Sequence, residues 1–402
     1  MEMILTSEEK RIPRVLFTVI LIMLVPFIIS FQIFDNRGLL LPLVAGSYLI
    51  LILLMLIAFY KGIGKHQYFT IIYFLIQLMP LFINSFKGIE INYQDYINII
   101  AKSLNYFIFF GLILSIKIKK MQFKYFLRYF IYFSIIACIY NLISNFGDIT
   151  NIGNITSGYE VTLKSFFVNK NQFGAFLFVS IIAFYYFLSG KKIKMLDVLI
   201  LLLFIINLIL TMSRGAILAT IIFFIFFYLQ HLKHIKLIAP IIIFLSITSL
   251  VILSSDRIIT FIKNNIIRVD AGVTGRTEIW DMGMNIYVQN NFLNGVGYFT
   301  GLDLAKGQGF QFEEFHSLYI DTLVSGGIIE LFFIFILLGY IFIHCITKCP
   351  EIGYKKIYLA SFFGILALGI FESISFFTLG YVGTLFTVFY ISIPLLLSKI
   401  DK

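Results

Sequence analysis

The sequence predicts an all-α, polytopic integral membrane protein, and three observations predict it. Hydrophobic residues fill 60% of the 402 positions and charged residues only 13%, too little charge to cover a soluble domain of this length. The apolar residues gather in runs long enough to cross a bilayer, which takes about 20 residues of helix. Lysines and arginines sit in short clusters between those runs, as topology signals do. A mean hydropathy of +0.96 and 18% aromatic residues, with one Trp against 47 Phe and 23 Tyr, suit lipid-facing and interfacial positions.

Taken in order, the runs give about twelve spans: 15–33, 39–60, 68–86, 97–116, 126–145, 171–189, 196–212, 215–230, 237–254, 318–343, 357–374 and 378–398. The first reads as a retained helix and not a cleaved leader, because it is long enough to span and no small-residue cleavage site follows it. A cytoplasmic N-terminus puts the basic clusters at 61–65, 117–124, 191–194, 233–236 and 348–356 inside, together with the closing SKIDK. The outer connections then hold little besides Arg37, Lys87, Lys164 and Lys170. Reversal would put nearly every cluster on the wrong side, so both termini are expected in the cytoplasm and the span count is expected to be even.

The whole chain, 1–402, reads as one transmembrane domain with two long polar outer segments, 146–169 and 255–317. Long connections in compact proteins usually carry function or are disordered. The second lies between spans nine and ten and contains Trp280; its apolar spacing at Ile279, Met282, Ile286 and 288–292 predicts an amphipathic helix packed on the outer surface. The net charge of +10 is dispersed and forms no nucleic-acid patch. Cys138, Cys345 and Cys349 form neither a CxxC pair nor a group with matching histidines, which speaks against a metal centre or a disulfide framework.

Three segments stand out as candidates for chemistry. In TMSRGAILA, Arg214 follows Ser213, a candidate N-cap, at the outer start of a span. Helix N–H groups, the positive end of the dipole and a forked cation make an anion site there; the plainer reading is an interfacial Arg reaching lipid phosphates. In GRTEIW, Arg276 lies in the large outer loop near Glu278, where a surface salt bridge would contribute little. Gly295, Gly297 and Gly301 follow as a backbone turn, a weak phosphate-loop signal without a preceding strand. In EEFHSLYIDTLVSGG, His316 is the one histidine placed outside, since His66, His231, His234 and His344 fall by inner connections. A helix N-terminus is expected to depress its pKa and favour the neutral base; the plainer reading is a polar cap.

The orientation puts Lys170, Arg214, Arg276 and His316 on one side, where basic groups can line a pocket for an interfacial pyrophosphate. Lys170, between Asn169 and Asn171, also fits a headgroup anchor. Glu372, near the outer end of the eleventh span, is either a functional acid or the partner of an arginine. Lys102, in an apolar run, either snorkels or pairs.

In that order, SRGA at a span start, GR-x-x-x-W with a following G-x-G, and H-x-x-Y-x-x-x-L-x-x-x-G resemble the O-antigen ligase and polymerase superfamily, the Wzy and WaaL type, over roughly 166–335. The chain departs from that pattern at Ser317, where Asn is common, and in NNFLNG, which lacks a usual proline. The resemblance implies a fold similar to the GT-C type. It also implies metal-independent, cofactor-free glycosyl transfer from an undecaprenyl-pyrophosphate-linked oligosaccharide at the periplasmic face of a bacterial inner membrane. Carried to these positions, Arg214 and Arg276 hold the pyrophosphate and His316 activates the acceptor hydroxyl; Lys170, Asn171, Tyr319 and Glu372 are the accompanying substrate-binding candidates. A Wzz-type chain-length regulator and a flippase are the implied partners, beside membrane lipid.

The outer segments contain no Asp-x-Asp pair for a metal-dependent transferase. A repeat-unit polymerase is preferred over an O-antigen ligase acting on lipid A core. The competitor of another class is a transporter of lipid-linked oligosaccharide, which is expected to carry charges near the midplane and internal repeats.

Overall fold

A computed structural model describes residues 68–107, 120–150, 163–230, 276–374 and 383–398, with positions 46, 49 and 376. The expected spans at 15–33 and 237–254, nearly all of 39–60, the end of 97–116, and the loop stretches 151–162 and 255–275 lie outside the described residues. Among the described residues every regular element is helical. They are α1 (Tyr68–Lys87), α2 (Tyr93–Tyr106), α3 (Lys120–Ser144), α4 (Lys170–Leu188), α5 (Met195–Leu210), α6 (Arg214–Leu229), α7 (Arg276–Asn290), α8 (Tyr298–Gly307), α9 (Leu318–Lys348) and α10 (Ile352–Phe371). The last, α11 (Gly383–Leu397), includes a π-helical stretch at Val388–Ser392. A further single turn spans Phe146–Thr150.

Helices α1, α3, α4, α9 and α10 are long and apolar enough to cross a bilayer, and α5, α6 and α11 are shorter apolar helices. The chain is a polytopic helical membrane protein. Their described bounds follow the apolar runs closely, except that α3 begins at Lys120, α9 runs on to Lys348 and α10 begins at Ile352, each extended toward its basic flank.

The described residues fall into two compact units. In the unit of 127–275 and 351–368, α4 and α6 pack in parallel. Near their starts Gly174 faces Ser213 and Ala216, so closely that a Cβ on Gly174 would lie 2.7 Å from Ser213 Cβ. Near their ends the Tyr185 ring meets Phe223 and Phe227 at 5.2 and 4.8 Å. Small residues allow such close approach where no water drives the packing. Helix α10 runs the other way, with Gly353 against Ser189 and Gly364 against Phe178 and Ala219.

In the unit of 1–126, 276–350 and 369–402, α9 is broken at Gly327, whose φ of 68° and ψ of −165° leave the helix. The expected continuous span 318–343 is thus a short segment followed by a long one, because two adjacent glycines weaken the helix. A break strands backbone groups, and buried backbone groups need partners. The segment 292–297 supplies them: Val296 and Gly297 N–H donate to the Val324 and Ser325 carbonyls at 2.7 and 2.9 Å, and Ile328 and Ile329 N–H donate to those of Phe292 and Leu293 at 3.1 and 3.2 Å. Beyond the break, Glu330 meets Lys102 of α2 at 3.8 Å with both side chains buried, so Lys102 pairs.

The glycine stretch differs from its expected form. Gly295 and Gly297 do form the turn, with φ of 67° and 93°. Gly301 lies inside α8, where a Cβ would strike Val324. The amides that start α8 are taken by an internal acid: the Asp95 carboxylate accepts from Phe299 N, Thr300 N and Thr300 Oγ1 at 2.9, 2.8 and 2.7 Å. Asn84 Nδ2 closes the turn by donating to Val296 O at 2.6 Å. The amides open to a phosphate in the sequence reading are occupied.

Candidate functional site

Helix α7 forms over the predicted spacing with Met282 and Ile286 buried, whereas Val288 and Phe292, read as part of the same apolar face, are exposed. Arg276 is its first residue, and its guanidinium is aimed at the C-terminal end of α10. There Nη1 donates to the Phe371 carbonyl, and Nη2 lies 3.3 Å from Glu372 Oε1. An arginine beside unpaired carbonyls at a helix C-terminus satisfies both hydrogen bonding and the dipole. Its partner is therefore Glu372 and not Glu278, which is exposed. Glu372 is the arginine-holding acid among the two readings of it. Burial pushes its carboxyl up to about 7, against the lowering pull of Arg276 and with a further push from Glu314.

Trp280, one turn after Arg276, sets its ring 6.2 Å from that of Phe371. Its Nε1 is buried without an acceptor among the described residues.

The approach to α9 is fixed by Phe315, fully buried against Met282, Ile286, Val296 and Val324. Phe315 N donates to Asp321 Oδ1 at 3.3 Å, looping the chain back on the first turn of α9. His316 follows with φ 54°, a left-handed conformation that costs a β-carbon residue about 1–3 kcal/mol. Ser317, not His316, holds the N-cap position; its Oγ donates to Gly369 O at 3.4 Å, while Leu318 N donates to Glu372 O at 3.0 Å. The Gly369–Glu372 stretch thus receives both the start of α9 and the guanidinium of Arg276.

His316 Nδ1 lies 2.9 Å from Glu314 Oε1, and the two side chains are 29% and 39% exposed. The approach is close but off the line of a hydrogen bond, and the contact is an ion pair when the imidazole is protonated. The expected depression of the imidazole's pKa is overturned: burial lowers it, but contact with the Glu314 carboxylate outweighs burial, with Arg276 lowering and Glu372 raising it, and the net shift is upward. The neighbouring carboxylates outweigh burial and Arg276 here.

Arg276, His316 and Glu372 are therefore brought into one cluster, with Glu314 and Asp321 as members that the sequence reading missed. The acid pair directly preceding the histidine in EEFH was the available signal for Glu314; Asp321 had none beyond lying one helical turn on. Tyr319 points its ring elsewhere, stacking on Phe335 at 6.0 Å.

The other candidates belong to the second unit. Asn169 caps α4 by accepting from Gln172 N at 2.8 Å, so Lys170 and Asn171 open that helix. Arg214, half-buried, is the first residue of α6. Ser213 occupies the N-cap position without a capping hydrogen bond, its hydroxyl turned toward Gly174. Lys170 and Arg214 thus stand at the same end of two parallel helices. The turns before both helices hold left-handed residues, Ser165 at φ 55° and Met212 at φ 54°. Among the described residues no cluster suited to a metal ion is found.

Residues 199–336 match the family model described as O-antigen ligase. No curated protein matches the chain.

Proposed function

We infer that this chain, whose residues 199–336 match the O-antigen ligase family model, acts within the O-antigen ligase/polymerase superfamily as a polysaccharide polymerase, moving a growing glycan from undecaprenyl pyrophosphate to an incoming lipid-linked repeat unit. Membrane glycosyl transfer of the ligase/polymerase type is what the family indicates. The observation that supports a transfer site is the cluster at the start of α9, where the Arg276 guanidinium pairs with Glu372 and the His316 imidazole with the part-exposed Glu314.

A pyrophosphate is already a competent leaving group, so the protein's task is charge stabilisation and alignment. In the proposed step the acceptor hydroxyl oxygen bonds to the anomeric carbon, and the bond from that carbon to the pyrophosphate oxygen breaks. The hydroxyl proton passes to His316, and the dianion leaves against Arg276, with Arg214 contributing on sequence grounds. The reaction is placed on the extracytoplasmic face, as the distribution of basic clusters suggests.

Ligation to lipid A core is the second reading, favoured by the description of the matching family itself. Purified protein in proteoliposomes, fed defined lipid-linked repeats, separates them. A ladder of multimers supports the polymerase, and single transfer confined to lipid A core supports the ligase. Movement of labelled donor across the bilayer without any transfer overturns both in favour of a transporter.

A further inference from the structure

The sequence of the turn before α9 runs Glu314, Phe315, His316. Phe315 is locked into the core, so the residues on either side of it project away from the core. Two side chains flanking one buried residue in an extended chain would point the same way, and the left-handed φ of His316 tightens the turn further. The result is the 2.9 Å approach of Glu314 Oε1 to His316 Nδ1. Strain held at a non-glycine residue persists only where the surroundings over-determine it. Here Phe315 N bound to Asp321 Oδ1 and Ser317 Oγ bound to Gly369 O supply that constraint.

An acid on one ring nitrogen settles what the other can do. With the proton kept on Nδ1, the lone pair is on Nε2, which is the tautomer a general base requires. We propose that Glu314 is a positioning residue for His316, holding the imidazole by Nδ1 so that Nε2 accepts the proton of the acceptor hydroxyl. This rests on the glycosyl-transfer reading above. During transfer the proton moves from the hydroxyl oxygen to Nε2, and the imidazolium that forms keeps its Nδ1–H toward the Glu314 carboxylate. Catalytic hydrogen bonds are often poorly aligned before substrate binds and tighten in the complex, which suits the off-line contact in the free protein.

Among the described residues four charged groups face the imidazole: Glu314 from its own turn, Arg276 from α7, Asp321 from α9 and Glu372 from the end of α10. Among the described residues only Glu314 approaches Nδ1 within hydrogen-bond distance. The effect of removing it is therefore separable from the background of the other three.

The test uses full-length protein in nanodiscs and the variants Glu314→Gln, Glu314→Asp and His316→Ala. Diethyl pyrocarbonate acylates neutral imidazole, so its reaction at His316, followed by mass spectrometry across pH, reads the ring's titration without any need for turnover. Glu314→Gln is expected to move that midpoint down by about one unit or more, with acylation of His344 unchanged as the control for folding. In the polymerisation assay the same variant is expected to lose about tenfold or more in kcat with KM little changed, and Glu314→Asp to recover part of both. An unchanged midpoint in Glu314→Gln overturns the pairing, whatever the activity does. If His316→Ala stays inactive in that case, the glycosyl-transfer reading stands without Glu314. A lowered midpoint with full turnover in His316→Ala overturns the catalytic role of the pair and of His316 together.

Discussion

Two turns pack against the first segment of α9, and they are opposites. The 292–297 turn is glycine-rich and resembles an anion cradle, yet its amides and the carbonyls of the broken helix are paired, and the amides opening α8 are held by Asp95. The 313–317 turn contains no glycine and has nothing of a phosphate loop in its sequence. It nonetheless holds a left-handed histidine and gathers Arg276, Asp321 and Glu372 beside Glu314, with Asp321 Oδ2 buried without a hydrogen-bond partner among the described residues. The first turn has its backbone paired, although Asn294 Oδ1 and Asn84 Oδ1 there are buried without partners among the described residues; paired backbone makes a strut, and a strained turn that gathers charge marks the place where a ligand has something to add. The difference teaches that a glycine pattern reports backbone shape, and only the partners of the amides report vacancy.

The sharpest way to break that contrast is at Arg276. Arg276→Ala is expected to lower transfer by a factor of about 100–1,000, the usual cost of one preorganised donor to a developing oxyanion. Insertion should survive, because Glu372, with its carboxyl already at about 7, can take a proton when its partner is gone. Arg276→Lys should also be poor, since an ammonium cannot fork between a carbonyl and a phosphate. Product of normal length and yield from either variant, at matched protein levels, would remove Arg276 from the chemistry.

The strut should respond in the other currency. Asp95→Ala removes three hydrogen bonds to a carboxylate and leaves two amides and a hydroxyl buried at the start of α8. A loss of about 2–3 kcal/mol of stability is expected, since hydrogen bonds to charged groups are the stronger kind. A fall in the apparent midpoint temperature in detergent would report it, while kcat per folded molecule stays near wild type. A selective collapse of kcat at unchanged thermal stability would mean that the glycine turn binds substrate after all.

Much of this fold was legible because apolar runs of about 20 residues admit few alternatives to a spanning helix. The break at Gly327 was not, since VSGGII keeps its apolar character through the glycines and hydropathy averages over them. Helix α8 was hidden for the converse reason: Gly295, Gly297 and Gly301 look alike in sequence, but only the first two need a positive φ, and the third is small so that Val324 can approach. At the site, Arg276 and His316 stood out as single unusual residues. Their environment did not, because Glu372 lies 96 positions from Arg276 and the pairing is a tertiary fact. The expected direction of the histidine's pKa failed on the same ground: a helix end was visible in the sequence, whereas the geometry that brings Glu314 onto Nδ1 was not.

The finest distinction between strut and site is electrostatic, and it has a definite sign. The Glu372 carboxyl sits at about 7 in the folded protein against 4.5 ordinarily, so between those values the folded state holds a proton that the unfolded state has released. Stability then declines as pH rises through that window, by up to about 1.4 kcal/mol per pH unit from a single group. Glu372→Gln removes the titration while keeping the volume, so its apparent midpoint temperature should fall less than that of wild type between pH 5 and 7. Above pH 7 the two curves should run parallel. Opposite behaviour, with wild type gaining on the variant as pH rises from 5 to 7, would mean that the Arg276 ion pair prevails over burial. Glu372 would then be one more satisfied group, and the turn before α9 would belong with the strut.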